Sequence, residues 1–336
     1  MRTKGLTDLQ VNGFAGVDFN SGELTTSELD HALEAMLATG VTACLPTLIT
    51  AAPDVLLQRI QVLDNAIQHS RLGRLMCLGL HIEGPFLNPR QGFAGCHPAG
   101  VMTPPYASLI EELQARITTP ILLVTLAPEL SGSEEFIAAM KARNILTAIG
   151  HSDCNFETAA HAASAGASLS THLGNGLPQH MPKLDNPLFA QLAEDRLTAC
   201  FIADGFHIPP QALKVMIRAK GISRSVLVTD AVSAAAAETG FYHFADMRIE
   251  RHDNGIVKNP NGAGLAGSTL CLDQAVRNLV TWGIASFEEA VRMASANVEA
   301  LLAPVLAARG IKQPVSFIEW TSDLFIRKAT FPEHDA

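Results

Sequence analysis

The sequence predicts an α/β protein built as a (β/α)8 TIM barrel, and three observations support this prediction. Eight short apolar runs alternate with longer amphipathic segments, which is the pattern of a parallel sheet whose strands are joined by helices. The 336 residues suffice for one barrel of about 250 residues and a short extra segment. Acidic and histidine residues follow several apolar runs, as expected at the barrel face where catalytic residues lie.

The predicted strands are the apolar runs themselves. They comprise residues 6–11, 41–45, 75–80, 121–126, 145–149, 167–171, 198–202 and 225–229. Between them, residues 27–40 have the apolar spacing of a helix that ends at Gly40. Residues 156–166 predict another helix, with capping candidates at 152–155 and a closing glycine, Gly166.

The last third of the chain contains a loop, two helices and a strand-like end. Residues 259–270 are rich in glycine but lack the pattern of a phosphate-binding loop, so we expect a turn or a loop over the site. Residues 270–283 and 287–302 are predicted to be helical. Residues 314–331 alternate like one or two strands.

Composition argues against several classes of protein. The formal net charge is -9 with no block of Lys and Arg, so a nucleic-acid partner is not expected. No apolar run approaches about 18 residues, and the first part of the chain lacks a signal-peptide pattern, so we expect no membrane partner and a cytoplasmic location. The six cysteines are scattered without a CxxC pair, which is typical of a reducing compartment.

Four residues at the ends of apolar runs indicate a shared site. Glu83, His151, His172 and Asp230 each come at or just after the end of such a run. An isolated carboxylate or imidazole is costly to bury, so four of them at the same structural position suggest a metal centre. Polar residues are common at the ends of strands. This does not explain why the residues at these ends are mainly of the types that bind metals or act as acids and bases. Further polar residues at strand ends are Gln10, Asn12, Asp204 and His207.

Several motifs then carry a family resemblance. In chain order they are DLQVNGFAGVDFN, LPTLIT, GLHIEGPFLN, TLAPE, GHSDCNFETAAHAASAGASLSTHLGN, FIADGFH, LVTDAVSAA, LAGSTL and AVRNLV. Together they resemble the N-acetylglucosamine-6-phosphate deacetylases of the amidohydrolase superfamily, over nearly the whole chain from Asp8 to about Leu302. The set HIEGPF, GHS, THLxN and ADGxH is specific, whereas LVTDA alone would be weak.

The resemblance implies a mononuclear metal centre. Glu83, His151 and His172 would bind one divalent metal ion, most often zinc, and leave a coordination position open, as in catalytic zinc sites. Many amidohydrolases bind a second metal through an HxH motif on the first strand. Gln10 and Asn12 occupy that position here, are poor metal ligands, and are expected near the substrate instead.

The same resemblance implies the catalytic and substrate-binding roles. Asp230 would be the general acid/base for attack of metal-activated water on an N-acetyl amide. His97 would polarise the amide carbonyl, and His207 would bind substrate. The loop containing Asn175 and Gly176 would contact the sugar or its phosphate.

Two departures from the family pattern leave alternatives open. Family members usually have an arginine after HLxNAM that grips the 6-phosphate, whereas residues 172–187 contain none, so Lys183 or His180 would have to substitute. If neither does, the substrate would be an unphosphorylated N-acyl amine, an N-acyl amino acid or a cyclic amide. A metal-containing binding protein without catalysis is a more remote alternative, disfavoured by the intact Glu83 and Asp230.

The second departure concerns the small β domain that accompanies the barrel in the family. This chain starts almost directly at the first predicted barrel strand, so we expect the small domain to be reduced. The prediction is a barrel over residues 1–303 and a short C-terminal remnant of the small domain over residues 304–336. Because unpaired strand edges favour association and the family commonly dimerises, we also expect a homodimer.

Overall fold

The computed structural model describes residues 1–259 and 264–332, and its centre is a parallel eight-stranded sheet. The barrel strands are β1 (Leu6–Val11), β2 (Val41–Ile49), β3 (Leu80–Glu83), β4 (Ile121–Leu126), β5 (Leu146–Ile149), β6 (Leu169–Ser170), β7 (Thr198–Phe201) and β8 (Ser225–Leu227). Each strand pairs in parallel with the next along the chain. The predicted TIM-barrel fold is confirmed.

The barrel closes between its first and last strands. The backbone N–H of Asp230 donates to the carbonyl of Gln10 at 2.9 Å, and the N–H of Asn12 donates to the carbonyl of Ala231 at 2.7 Å. Below these bonds, the buried carboxylate of Asp8 accepts a hydrogen bond from the Thr229 hydroxyl at 2.6 Å. The residues at the ends of β1 and β8 are thus fixed relative to one another.

Helices connect the strands. They are α1 (Thr26–Ala38), α2 (Pro53–His69), α3 (Gly73–Met76), α4 (Ala107–Ala115), α5 (Ser133–Ala142), α6 (Phe156–Ala165), α7 (Pro187–Ala193), α8 (Pro210–Lys220), α9 (Leu272–Thr281), α10 (Phe287–Met293) and α11 (Ala296–Ala308), with 3-10 turns at Ala99–Val101 and Ile222–Arg224. The predicted caps of α6 are confirmed, because the Asn155 side chain accepts from the N–H of Thr158 and Gly166 ends the helix.

The third strand lies later in the chain than predicted. Residues 75–80 form an apolar run, but Gly73–Met76 is helical and pairing with β4 begins only at Leu80. The Ser70 hydroxyl accepts a hydrogen bond from the Gly73 N–H at 2.6 Å, which favours a helical turn at the start of the run. As a result Glu83 is the last residue of β3 itself.

Small antiparallel sheets flank the barrel. Both ends of the chain contribute to one of them, in which Phe317–Trp320 pairs with Arg2–Lys4 on one side and Ile326–Thr330 on the other. The two C-terminal strands were predicted, whereas Arg2–Lys4 was not. The other small sheets contain Gly240–Phe244, Met247–Arg251 and Val257–Lys258, and Gly13–Phe14 with Val17–Asp18. The predicted glycine-rich loop, 259–270, lies partly outside the described residues.

Within residues 1–259 and 264–332, one helical stretch, Phe287–Ala308, is long and apolar enough to span a membrane on length and composition alone, with a mean hydropathy of 1.3. It contains α10 and α11, and 56% of its most apolar window is buried inside the protein. Core helices of soluble proteins meet the same criterion, so this stretch is weak evidence for a membrane span.

Candidate metal centre and active site

Three histidines surround one buried glutamate at the carboxyl end of the barrel. Nε2 of His172 lies 3.0 Å from Oε1 of Glu83, and Nε2 of His151 lies 3.4 Å from the same oxygen. Nε2 of His97 lies 3.7 Å from Oε2 of Glu83. All four residues are buried. The three residues predicted as metal ligands are thus brought together, with His97 beside them.

Strained backbone carries several of these side chains. His151, His172 and Asp230 have positive φ angles of 52°, 25° and 49°, in or near the left-handed region that non-glycine residues rarely adopt. Each such conformation costs on the order of 1–3 kcal/mol and persists only where the surrounding structure enforces it. The turns that end β5, β6 and β8 are therefore specialised for presenting these residues.

The donor set fits a metal cation. Nδ1 of His151 lies 2.7 Å from the carbonyl oxygen of Phe93, which can only accept, so the ring proton is on Nδ1. In the neutral ring Nε2 of His151 then carries the lone pair, and this atom is buried without a hydrogen-bond partner, 3.4 Å from Oε1 of Glu83. A lone pair and a carboxylate that face each other in a buried site call for a positive charge between them.

Two sets of three residues could hold the ion, and both contain Glu83 and His151. Potential ligand atoms of Glu83, His97 and His151 all lie within 4.8 Å of one another. His172 is the nearest histidine to Glu83, and its Nδ1 is also buried without a hydrogen-bond partner. Nδ1 of His97 is paired with the Thr50 hydroxyl at 2.9 Å, which leaves Nε2 of His97 facing the cluster.

The electrostatics of the centre keep the carboxylate ionised. Burial acts to raise the pKa of Glu83, but contacts with His151 and His172 and the neighbouring His97 hold this pKa well below its usual range. Burial, assisted by His151, lowers the pKa of His97 to about 3, so that this imidazole is neutral near pH 7. Burial acts to lower the pKa of His172, but its hydrogen bond to Glu83 and the charges of Glu83 and Asp230 raise this pKa overall. The cluster therefore combines an anionic Glu83 with a neutral His97.

Asp230 lies beside the centre and is oriented by the first strand. Its Oδ1 accepts a hydrogen bond from Asn12 Nδ2 at 2.8 Å. Burial raises the pKa of Asp230, with a further contribution from the charge of Glu83, while His172, His207 and Asn12 act in the opposite direction. A carboxylate with a raised pKa is suited to accept and return a proton. Gln10 Nε2 and Asn12 Oδ1 are buried without partners.

The loop expected to bind the sugar phosphate contains more exposed side chains than the cluster around Glu83. Asn175 donates from Nδ2 to the carbonyl of His172 at 3.0 Å, so this amide anchors the loop. Gly176 has φ +62°, and a Cβ there would lie 2.7 Å from Nδ1 of His151, so the loop passes directly over that ring. Lys183 and His180 are exposed, and Lys183 forms no ion pair with any residue that the structure describes.

His207 is fixed by the neighbouring Asp204. Nδ1 of His207 lies 2.6 Å from Oδ2 of Asp204, and Oδ1 of Asp204 accepts from the backbone N–H groups of Phe206 and His207. Burial acts to raise the pKa of Asp204, but the hydrogen bonds and charge of His207 lower it overall. His207 is thus held with Nε2 directed away from its carboxylate partner.

Similarity to known proteins agrees with this site. No protein-family model matches the chain. It is 34% identical over 314 residues to the human N-acetylglucosamine-6-phosphate deacetylase, covering 89% of this chain and 73% of that protein. It is 31% identical over 288 residues to the N-acetylgalactosamine-6-phosphate deacetylase of Escherichia coli O157:H7, covering 86% of this chain and 74% of that protein. The chain belongs to the N-acetylglucosamine-6-phosphate deacetylase family.

A solved member of the deacetylase family has the same fold. The N-acetylglucosamine-6-phosphate deacetylase of Mycobacterium smegmatis, in complex with N-acetylglucosamine-6-phosphate, superposes with a TM-score of 0.86 at 25% identity. The match covers 98% of this chain and 85% of that one. The chain is accordingly a hydrolase that acts on amide C–N bonds, on an amidohydrolase barrel.

The structure adds residues that the sequence analysis of this deacetylase-family chain did not assign to the site. Thr50 pairs with His97, and the Phe93 carbonyl fixes the tautomer of His151. Glu129, after β4, bonds to the Ser152 hydroxyl at 2.6 Å. Glu129 lies in the TLAPE motif, directly after a predicted strand. The other site residues also lie at or just after the ends of strands, so this position could have identified Glu129 from the sequence.

Proposed function

We propose that this deacetylase-family chain hydrolyses the acetamido group of N-acetylglucosamine-6-phosphate or a closely related N-acetyl amino sugar phosphate, releasing acetate and the free amine. The names of the relatives support this substrate class. The observation that carries the proposal is Nε2 of His151, which is buried without a hydrogen-bond partner 3.4 Å from the Glu83 carboxylate.

The proposed cofactor is one divalent metal ion, Zn²⁺, held by Glu83, His151 and His172. When bound, such an ion supplies Lewis-acid polarisation and lowers the pKa of water. The buried amide side chains of Gln10 and Asn12 line the position where a second ion would need charged or imidazole ligands, which supports a single metal.

The proposed roles of the remaining residues follow from their surroundings. Asp230 takes a proton from the attacking water and returns it to the leaving amine, and its raised pKa makes it a competent acid in the second step. His97, whose Nε2 lies 3.7 Å from Oε2 of Glu83, stabilises the developing oxyanion. His207, held by Asp204, binds the sugar, together with Gln10 Nε2 and Asn12 Oδ1, which are buried without hydrogen-bond partners.

The substrate loop is proposed to contact the sugar and its phosphate. Backbone and amide groups of Asn175 and Gly176 lie next to the centre and would contact the sugar. Lys183, being exposed and without an ion pair among the described residues, is the proposed phosphate ligand. We further propose a cytoplasmic homodimer, in which residues 304–336 are the remnant of a small β domain appended to the barrel.

The test is amide hydrolysis by Zn²⁺-loaded protein on matched substrates. N-acetylglucosamine-6-phosphate, N-acetylgalactosamine-6-phosphate and unphosphorylated N-acetylglucosamine are compared by kcat/KM, with acetate release as the readout. We expect at least a tenfold preference for a phosphorylated sugar. Preference for the neutral sugar would contradict the phosphate assignment and favour the alternative of an unphosphorylated N-acyl amine. No hydrolysis of any of the three would contradict the proposed function.

A further inference from the structure

The turn that carries His151 is held by a carboxylate from the neighbouring strand end. Oε1 of Glu129 accepts hydrogen bonds from the Asp153 backbone N–H at 2.6 Å and from Asn88 Nδ2 at 2.7 Å. Oε2 of Glu129 accepts from the Ser152 hydroxyl at 2.6 Å. Asn88 also donates its own backbone N–H to the carbonyl of His151 at 3.1 Å. We call these interactions of Glu129, Asn88, Ser152 and Asp153 the Glu129 clamp.

The Glu129 clamp acts where the backbone is strained. His151 has φ +52°, a left-handed conformation that is unfavourable for a non-glycine residue. Hydrogen bonds to a charged group are stronger than those between neutral groups. The hydrogen bonds from Ser152 and Asp153 act on the two residues that follow His151, so they are in position to stabilise the turn.

The ring of His151 has little freedom to compensate if the turn relaxes. A Cβ at Gly95 would lie 3.0 Å from Cε1 of His151, and one at Gly176 would lie 2.7 Å from Nδ1. Glycine backbone therefore packs closely around the imidazole, and Nδ1 is committed to the Phe93 carbonyl. A shift of the His151 backbone would move Nε2 relative to Glu83 instead of being absorbed by ring rotation.

We propose that Glu129 is a positioning residue for His151, which acts through the Glu129 clamp and not by contact with substrate. Glu129 holds the 151–153 turn, in which His151 is left-handed, so that Nε2 of His151 faces Glu83 before any metal binds. This inference rests on the proposed function, because it takes Nε2 of His151 as a metal ligand. It assigns a role to the TLAPE motif that the catalytic scheme leaves unused.

The experiment compares Glu129→Ala and Glu129→Gln with wild type, and uses Glu135→Ala, an exposed residue in the first turn of α5, as the matched control. Zn²⁺ affinity is measured by competition with a chromogenic chelator, and kcat and KM are measured at saturating Zn²⁺. Thermal unfolding of the metal-free proteins reports stability separately.

We expect Glu129→Ala to weaken Zn²⁺ binding by about 10- to 100-fold, as is typical when a residue that orients a metal ligand is removed. kcat should fall by a similar factor while KM changes little. Glu129→Gln should recover most of the affinity, because its amide oxygen can still accept from Asn88 and Asp153. Glu135→Ala should match wild type. A lower melting temperature of Glu129→Ala with Zn²⁺ affinity and kcat within about twofold of wild type would overturn the proposal.

Failure of the proposed function can be distinguished from failure of the positioning role of Glu129. If wild type neither binds Zn²⁺ nor hydrolyses the sugars, the proposed function fails, and hydrogen exchange of metal-free protein then decides the positioning role. In a peptide covering residues 150–156, Glu129→Ala should exchange at least about tenfold faster than wild type and than Glu135→Ala. Equal exchange in all three proteins would overturn the role of the clamp.

Discussion

The metal-binding cluster and the substrate loop differ in how they are held. The cluster comprises Glu83, His97, His151 and His172, which are buried and come from the carboxyl ends of barrel strands or pack against them. The substrate loop, residues 174–186, lies between β6 and α7 and contains several exposed side chains. Strand pairing fixes the first region, whereas local anchors such as the Asn175 bond fix the second.

This difference separates the chemistry of the site from its choice of substrate. A change in the cluster exposes or unpairs a buried polar group and is therefore costly. A change in the substrate loop replaces side chains that are largely in water, so the loop sequence is free to vary while hydrolysis is retained. The sequence agrees with this pattern, because the motifs at the strand ends carry the family resemblance, whereas residues 172–187 contain no arginine.

The largest effect is expected from breaking the cluster itself. His151→Ala removes the imidazole that faces Glu83, so the variant should lose Zn²⁺ on dialysis. Its kcat/KM should fall by about 10³-fold or more, since Lewis-acid catalysis supplies several kcal/mol. Metal content is measured by atomic emission. His161→Ala, at an exposed histidine on α6, is the control and should keep its metal. Full Zn²⁺ occupancy of His151→Ala would refute the ligand assignment.

A second variant tests whether acid/base catalysis can be lost while the metal-binding cluster stays intact. Asp230→Asn keeps the size of the side chain and its contact with Asn12 but removes the acid/base group, so kcat should fall by about 10²- to 10⁴-fold with Zn²⁺ retained. Steady-state kinetics and metal analysis are run together. The exposed Asp54→Asn should behave like wild type. Unchanged turnover of Asp230→Asn would rule out its acid/base role.

The sequence was most informative where structure is local. Glu83, His151 and His172 were predicted because each lies within two residues of the end of a buried strand, and the alternation of strands and helices alone implied that these ends meet. The third strand was predicted too early in the chain, because apolar character does not distinguish the helical turn at Gly73–Met76 from a strand.

Features that depend on distant partners were missed. The strand Arg2–Lys4 pairs with residues more than 300 positions away, and a three-residue segment carries no periodicity of its own. Glu129 was missed for the same reason, because its hydrogen-bond partners Ser152 and Asn88 are distant from it in the sequence. Lys183 was placed correctly in a loop, but whether a loop side chain reaches a phosphate cannot be deduced from spacing.

A substitution in the substrate loop is expected to have a smaller effect on catalysis than one in the metal-binding cluster. Lys183→Ala should raise KM for N-acetylglucosamine-6-phosphate by about 5- to 10-fold, since an exposed charge pair contributes on the order of 1 kcal/mol. KM for unphosphorylated N-acetylglucosamine and the Zn²⁺ affinity should not change. The effect should shrink in 0.5 M salt because the lysine is exposed. Lys328→Ala, in the small terminal sheet, is the control. An equal loss on both sugars would contradict a phosphate-specific role.

A pH-dependent effect on stability concerns the carboxyl group of Asp8, which ties β1 to β8 beneath the site. Burial raises the pKa of Asp8 from 3.8 to about 7, although hydrogen bonds from Thr229 and Gln10 act to lower it. Between these two values the folded protein binds a proton that the unfolded chain has released. The contribution of Asp8 to stability is therefore fully present below about pH 4 and is lost as pH rises through about 7.

Asp8→Asn should remove that dependence, because the amide is neutral at every pH and resembles the protonated acid. Its oxygen can accept from the backbone N–H groups of Gln10 and Thr229, and the Thr229 hydroxyl can turn to the Gln10 carbonyl, 3.2 Å away. Urea unfolding from pH 4 to 8 should show a slope of stability against pH that is less negative than in wild type, by at most about 1.4 kcal/mol per pH unit. Asp54→Asn should leave the slope unchanged. Identical slopes for wild type and Asp8→Asn would mean that Asp8 is ionised in the folded barrel, and that the strand ends are held together by a buried anion.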